Sequence, residues 1–151
     1  MRRFNVEVIP PPRSETPNRE DLKLIVGQPI DIEIGSGTGD FAIQYAKKHP
    51  ERNLIAIEKT KIRFGKFSRK REAQGAPKNL FPIHAHAIHW VSHNIELESI
   101  ERYFILYPNP EPKRLNQRWY AMPFMERVLQ TLVDGGEITF ATNISSYCRE
   151  A

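Results

Sequence analysis

Five short apolar runs, separated by amphipathic segments, organise the chain from about Pro29 onward. Ile30-Asp-Ile-Glu-Ile34 alternates apolar and acidic positions and predicts a strand. Gly37-Thr-Gly-Asp-Phe-Ala-Ile-Gln-Tyr-Ala-Lys-Lys48 opens on turn residues and continues with helical periodicity. Asn53–Ile57 predicts a second strand, residues 60–74 a basic helix stopped by Gly75 and Pro77, and Leu80–His84 a third strand. Pro82 demotes that third strand to an edge, because proline has no amide to give a ladder. A short helix around 87–94 leads to an apolar strand at 102–107. After a proline-rich loop comes a helix over roughly 119–133, closed by Asp134-Gly135-Gly136, and then a strand over Glu137–Thr142. Helices alternating with short apolar strands call for an α/β fold, a mostly parallel sheet with helices on both faces. Residues 1–28, with Pro10-Pro-Pro12 and Pro17 among polar residues, predict an extended or partly disordered arm; the folded domain is expected over 29–151.

Length and charge narrow this picture. A chain of 151 residues accommodates one core that buries roughly two-thirds of its unfolded surface. The net charge of +4 is mild, but seven cations crowd residues 58–71, with Lys59, Arg63, Lys66 and Lys70 along one helical stripe. A solvated helix face and a phosphate-binding surface both fit that stripe. The single cysteine, Cys148, excludes an internal disulfide and suits a reducing compartment. No run of about 18 apolar residues and no charged-then-apolar leader is present, so a cytoplasmic protein without a membrane span is expected.

Glu33-Ile-Gly35-Ser-Gly37-Thr-Gly39 follows a strand and opens a helix, where glycines let a ligand approach backbone amides. Its G-x-G-x-G spacing differs from the G-x-G-x-x-G of dinucleotide sites and favours another adenosine ligand. Glu58, at the end of the second strand, suits the two hydroxyls of a ribose. Glu33 suits a cationic ligand, and S-adenosylmethionine carries both a sulfonium and an ammonium. A tight turn without any ligand is the competing reading. Further on, Pro108, Pro110 and Pro112 stiffen Tyr107-Pro-Asn-Pro-Glu-Pro-Lys113 and bias Tyr107, Asn109 and Glu111 toward extended backbone. By itself this stretch also reads as a surface connector.

Taken together, these segments resemble the tRNA (guanine-N7)-methyltransferase family, class I enzymes that use S-adenosylmethionine. The likeness runs from about Ile30 to the last residue. It rests on Glu33–Gly39, on Ala56-Ile-Glu58-Lys, on the Pro loop where the family shows F-P-D-P-W-x-K, and on Gly135–Asn143 where it shows G-G-x-x-x-x-A-T-D. The resemblance implies a Rossmann-like methyltransferase sheet. It puts the donor along Glu33, Gly35, Gly37, Gly39, Glu58 and His86, with Asn109 as the catalytic position that also touches the donor. Lys113, Arg114, Arg118 and Asn143 are expected to meet tRNA.

The departures are specific. Asn109 and Asn143 stand where the family has aspartates, His86 where an aspartate would face the adenine, and Glu111 where the loop has tryptophan. The chain stops at Ala151, just inside a helix, and the family's last two strands, with their T-x-x-E motif, are expected to be missing from the sheet. The lost carboxylates favour either a weakened enzyme or a donor- or RNA-binding pseudoenzyme. Asn109-Pro110 also resembles, more distantly, the N-P-P-[YFW] loop of amino-group methyltransferases, which would redirect the reaction to another base. His84, His86, His89 and His93 include spacings that zinc sites use, yet no cysteine joins them and no metal is expected.

Overall fold

The computed structural model describes residues 3–108 and 118–150. The strands are β1 (Ile30–Ile34), β2 (Asn53–Glu58), β3 (Leu80–His84), β4 (Ile100–Leu106) and β5 (Leu132–Ala141). They pair in parallel throughout, in the order β3-β2-β1-β4-β5. The helices are α1 (Asp40–Lys48), α2 (Lys61–Ala73), α3 (Ala87–Asn94), α4 (Phe124–Thr131) and α5 (Ser145–Glu150).

Alternation along each strand builds two apolar layers. Ile32, Ile34, Ile55, Ile57, Tyr103 and Ile105 face α3 and α4, where Trp90 and Phe124 fill the layer. Leu54, Ala56 and Phe104 face α1 and α2 around Phe67. On this second face β1 contributes no apolar residue: its inward positions there are Asp31 and Glu33, both buried. The inner strands β1, β2 and β4 are covered on both sides, as a parallel sheet requires, whereas β5 leaves Glu137 and Thr139 exposed on one face.

Asp31 is satisfied by design of the surrounding chain. Arg52 Nε and Nη2 donate to its two carboxylate oxygens at 2.7 and 2.8 Å, and Tyr45 Oη donates at 2.6 Å. Arg52 also reaches Glu101 at 3.0 Å. This fork sits where β1 starts, at the end of the sheet away from the Gly-rich turn.

The strand at 80–84 is an edge, as Pro82 predicts. The long helix expected over 119–133 is not formed. A 3-10 turn covers Trp119–Ala121, Pro123 caps α4, and α4 ends at Thr131. Pro123 cannot continue a helix begun before it, and its fixed φ suits a helix start. Nor does Asp134-Gly135-Gly136 close a helix: it lies inside β5 as a bulge. Ile100 pairs with Leu132 and Arg102 with Glu137, so residues 133–136 stand opposite Glu101 alone. A Cβ on Gly136 would lie 2.9 Å from the Val133 carbonyl oxygen, which is why glycine holds that position.

The described part of the arm, residues 3–28, contains two 3-10 turns and lies against the domain. Phe4, Leu22 and Leu24 pack on the α3/α4 layer. The indole of Trp90 donates to the Pro17 carbonyl at 2.8 Å, the Phe4 amide donates to Glu126 at 2.9 Å, and the Arg19 amide to Asn94 at 3.0 Å. His93 Nε2 meets the Ile9 carbonyl at 2.7 Å. Among the described residues, no helix is long and apolar enough to cross a membrane.

Candidate functional site

Strand order reverses between β1 and β4, so the connections leaving their C-terminal ends diverge and open a crevice, the general ligand position of open α/β sheets. Here it is a cleft of about 450 Å³ whose walls include Gly35, Glu58, Lys59, His86, Tyr107 and Trp119.

The Gly-rich turn forms one wall. The amides of Gly35 and Ser36 both donate to the Ile57 carbonyl at 2.9 Å, pinning the turn to the end of β2. Gly39 has φ +85°, and a Cβ there would run into the Phe67 ring. That glycine therefore lets the start of α1 settle onto α2. Glu58 fastens the same turn: its Oε2 accepts from the Gly37 amide at 2.7 Å, while Oε1 accepts from the Thr60 amide at 2.9 Å. A carboxylate offers about four acceptor positions, so Glu58 can take two further donors from the cleft that it lines.

Glu33 lies one layer deeper than a wall residue. It is paired in register with Ala56 on β2 and Phe104 on β4, 2% exposed, and its Oε1 has no hydrogen-bond partner. Burial first, and the nearby Glu58 second, push its pKa up to about 8. Ser36 Oγ, in the turn above, is likewise buried without a partner. The consequence for stability has a definite sign. Between the ordinary value of 4.5 and about 8 the folded protein keeps a proton that the unfolded chain has released. Stability therefore falls as pH rises through this window, by up to about 1.4 kcal/mol per unit, and levels off above it. Glu33→Gln is expected to flatten that slope in denaturant unfolding followed from pH 5 to 8.5. An unchanged slope would mean that Glu33 is ionised in the folded protein.

His86 is the residue before α3, at the rim of the cleft, and its ring stacks on His89 at 4.5 Å between centroids. Asn143 is exposed beyond β5. Of the basic stripe, Lys59, Arg63 and Lys66 are exposed, whereas Lys70 is tied to Asp40 at 2.8 Å and Thr38 at 3.2 Å. Arg118 departs from expectation: it is 6% exposed and its Nη1 donates to Tyr120 Oη at 3.2 Å, so it faces inward instead of presenting a surface charge. Asn109, Lys113 and Arg114 lie outside the described residues.

Tyr107 also differs from the extended backbone expected before a proline. Its φ is +50°, because its amide still donates to the Ala141 carbonyl at 2.7 Å while the chain turns away from the sheet at this residue. Left-handed backbone is uncommon for a bulky side chain and clusters at functional sites. Trp119 and Met122, which complete the cleft wall, were not among the expected site residues; the aromatic directly after the Pro loop was the available signal. Of the four histidines, His93 meets the arm and His84 Nε2 meets the Lys59 carbonyl at 3.1 Å, while His86 and His89 stack on each other. Among the described residues, no three His, Cys, Asp or Glu side chains converge on a metal position.

Comparison with known proteins places this arrangement. Over 126 residues the chain is 34% identical to a tRNA (guanine-N(7)-)-methyltransferase of Chlamydia abortus, covering 82% of this chain and 55% of that protein. It is 31% identical over 131 residues to one from Syntrophotalea carbinolica, covering 84% and 56%. The chain thus spans a little over half the length of these relatives. Among solved structures, the antibiotic-resistance methyltransferase Kmr superposes with a TM-score of 0.64 at 20% identity, over 85% of this chain and 61% of that one, and shares the Rossmann-like class I fold. The profile of the family described as "Putative methyltransferase" matches residues 27–151, and the chain belongs to that methyltransferase family.

Proposed function

We propose that this protein is a cytoplasmic methyltransferase that uses S-adenosylmethionine to methylate guanine N7 in tRNA. The observation carrying this reading is the alignment, over about four-fifths of the chain, with proteins named as tRNA (guanine-N(7)-)-methyltransferases.

The cleft fits the donor. A sulfonium or ammonium bound above the turn favours the ionised form of Glu33, the buried carboxyl with an unpartnered oxygen, and so draws off the proton that it otherwise keeps up to about pH 8. Glu58 has acceptor positions for two ribose hydroxyls, the Gly35–Gly39 turn gives close backbone approach, and His86 stands at the rim for the adenine. When bound, the donor supplies a methyl group activated by a positive sulfur.

The remaining work falls to the chain. Guanine N7 offers a lone pair and loses no proton on methylation, so no general base is required. Alignment of N7 with the methyl group then dominates, and well-oriented reactants gain roughly 7–11 kcal/mol from proximity alone. Asn109, whose amide both donates and accepts, is assigned to orient the guanine. Trp119 and Met122 narrow the cleft from the β4 side and exclude water. Lys113 and Arg114 are assigned to phosphate contacts, with Asn143 near the substrate.

Calorimetric titration with S-adenosylmethionine and S-adenosylhomocysteine tests the donor assignment. Glu58→Ala removes a charged acceptor from two hydroxyls, each such bond contributing about 1.5–3 kcal/mol, so affinity is expected to fall about 10²-fold or more. Affinity retained within threefold would remove the assignment. A second reading, a donor- or RNA-binding pseudoenzyme or a methyltransferase for another base, is favoured by asparagine at positions 109 and 143 and by His86 where the family carries aspartates. Donor binding without transfer of methyl to guanine N7 would support it.

A further inference from the structure

A second cleft, of about 660 Å³, lies between β3 and residues 11–17 of the arm. Lys59, Ala85 and His86 belong to the walls of both clefts, so the two are continuous at that rim. Two parallel ring pairs line it. Phe64 and His84 stack at 5.2 Å and 20°, and His86 and His89 at 4.5 Å and 17°. Arg13 and Lys59 face it with a single acid, Glu15.

We propose that this cleft seats one unpaired nucleotide of the RNA substrate, its base stacked against the Phe64 and His84 rings and its phosphate against Arg13 and Lys59. The proposal rests on the tRNA reading above. Aromatic and imidazole faces accept any base without reading its edges, and RNA bases become available for such stacking where the strand is unpaired. The volume falls within the range of small-molecule sites. The balance of charge, Arg13 and Lys59 against Glu15, matches a phosphate. A peptide adding to the β3 edge is disfavoured because Pro82 removes a donor from it.

Arg13→Glu and Phe64→Leu test the proposal, with tRNA transcript binding measured against salt and S-adenosylmethionine binding measured by calorimetry. Arg13→Glu is expected to weaken tRNA binding about tenfold at low salt and to reduce the slope of log affinity against log salt by roughly one. Phe64→Leu is expected to weaken it roughly fivefold with the slope unchanged, through lost stacking. Donor affinity should stay as in the wild type for both, which also shows that they fold. If both variants bind tRNA like the wild type, the cleft assignment falls and the tRNA reading stands. An effect of Arg13→Glu alone would leave a surface charge contact and overturn the seating of a base. No tRNA binding by the wild type at low salt would overturn the reading and the cleft together.

Discussion

Asn109→Asp is expected to raise the rate of methyl transfer to guanine N7 by about 10²–10³, the size of effect seen when one preorganised electrostatic group at a reacting centre is gained or lost. The purine becomes cationic as its N7 takes the methyl group, and an aspartate would place negative charge beside it. Asparagine offers the same shape without the charge. Pro108 and Pro110 fix the backbone on both sides of the substituted residue, so the change is nearly isosteric and reports on chemistry more than folding. Single-turnover transfer of labelled methyl to a tRNA transcript, with chemical detection of N7-methylguanine, measures it. The longest natural form of the chain is the right subject, since the sequence spans 55% of one relative and 56% of another. A fall in rate would make the asparagine itself the working group and point to a different base. No transfer by either form, with donor still bound, would identify a pseudoenzyme.

The largest expected effect on stability lies at the other end of β1. Asp31→Ala strands the Arg52 guanidinium, 7% exposed, with Glu101 as its remaining carboxylate, and leaves Tyr45 without its acceptor. Breaking a buried pair from one side costs about 3–5 kcal/mol, because the surviving charge stays desolvated. Urea unfolding of Asp31→Ala should show a loss of this size, with an unchanged dependence on urea. Donor affinity measured on the folded fraction should not change, since the fork and the Gly-rich turn occupy opposite ends of the strand. A loss below about 1 kcal/mol would mean that water or Glu101 compensates the guanidinium.

The sheet was legible because each strand is an apolar run bounded by turn residues, and Pro82 even marked which one stands at an edge. The end of the chain was less so. Gly135-Gly136 carries the same local signal for a helix stop and for a bulge, and only pairing with β4 decides between them. At the cleft, Gly35–Gly39 and Glu58 announced themselves through spacing, since their task is done by neighbours in sequence. Trp119 and Met122 did not, because packing of distant segments brings them there. A sequence likewise cannot separate a solvated arginine from a buried one, which Arg118 is.

The arm's anchors impose an order on how the protein is made. Residues 4–19 leave the ribosome well before their partners, which are Trp90, His93, Asn94 and Glu126. At about 5–20 residues per second, the arm waits several seconds or more for the last of them. The second cleft, with the arm as its roof, therefore comes into being only after the Gly35–Gly39 turn and most of the sheet have been synthesised.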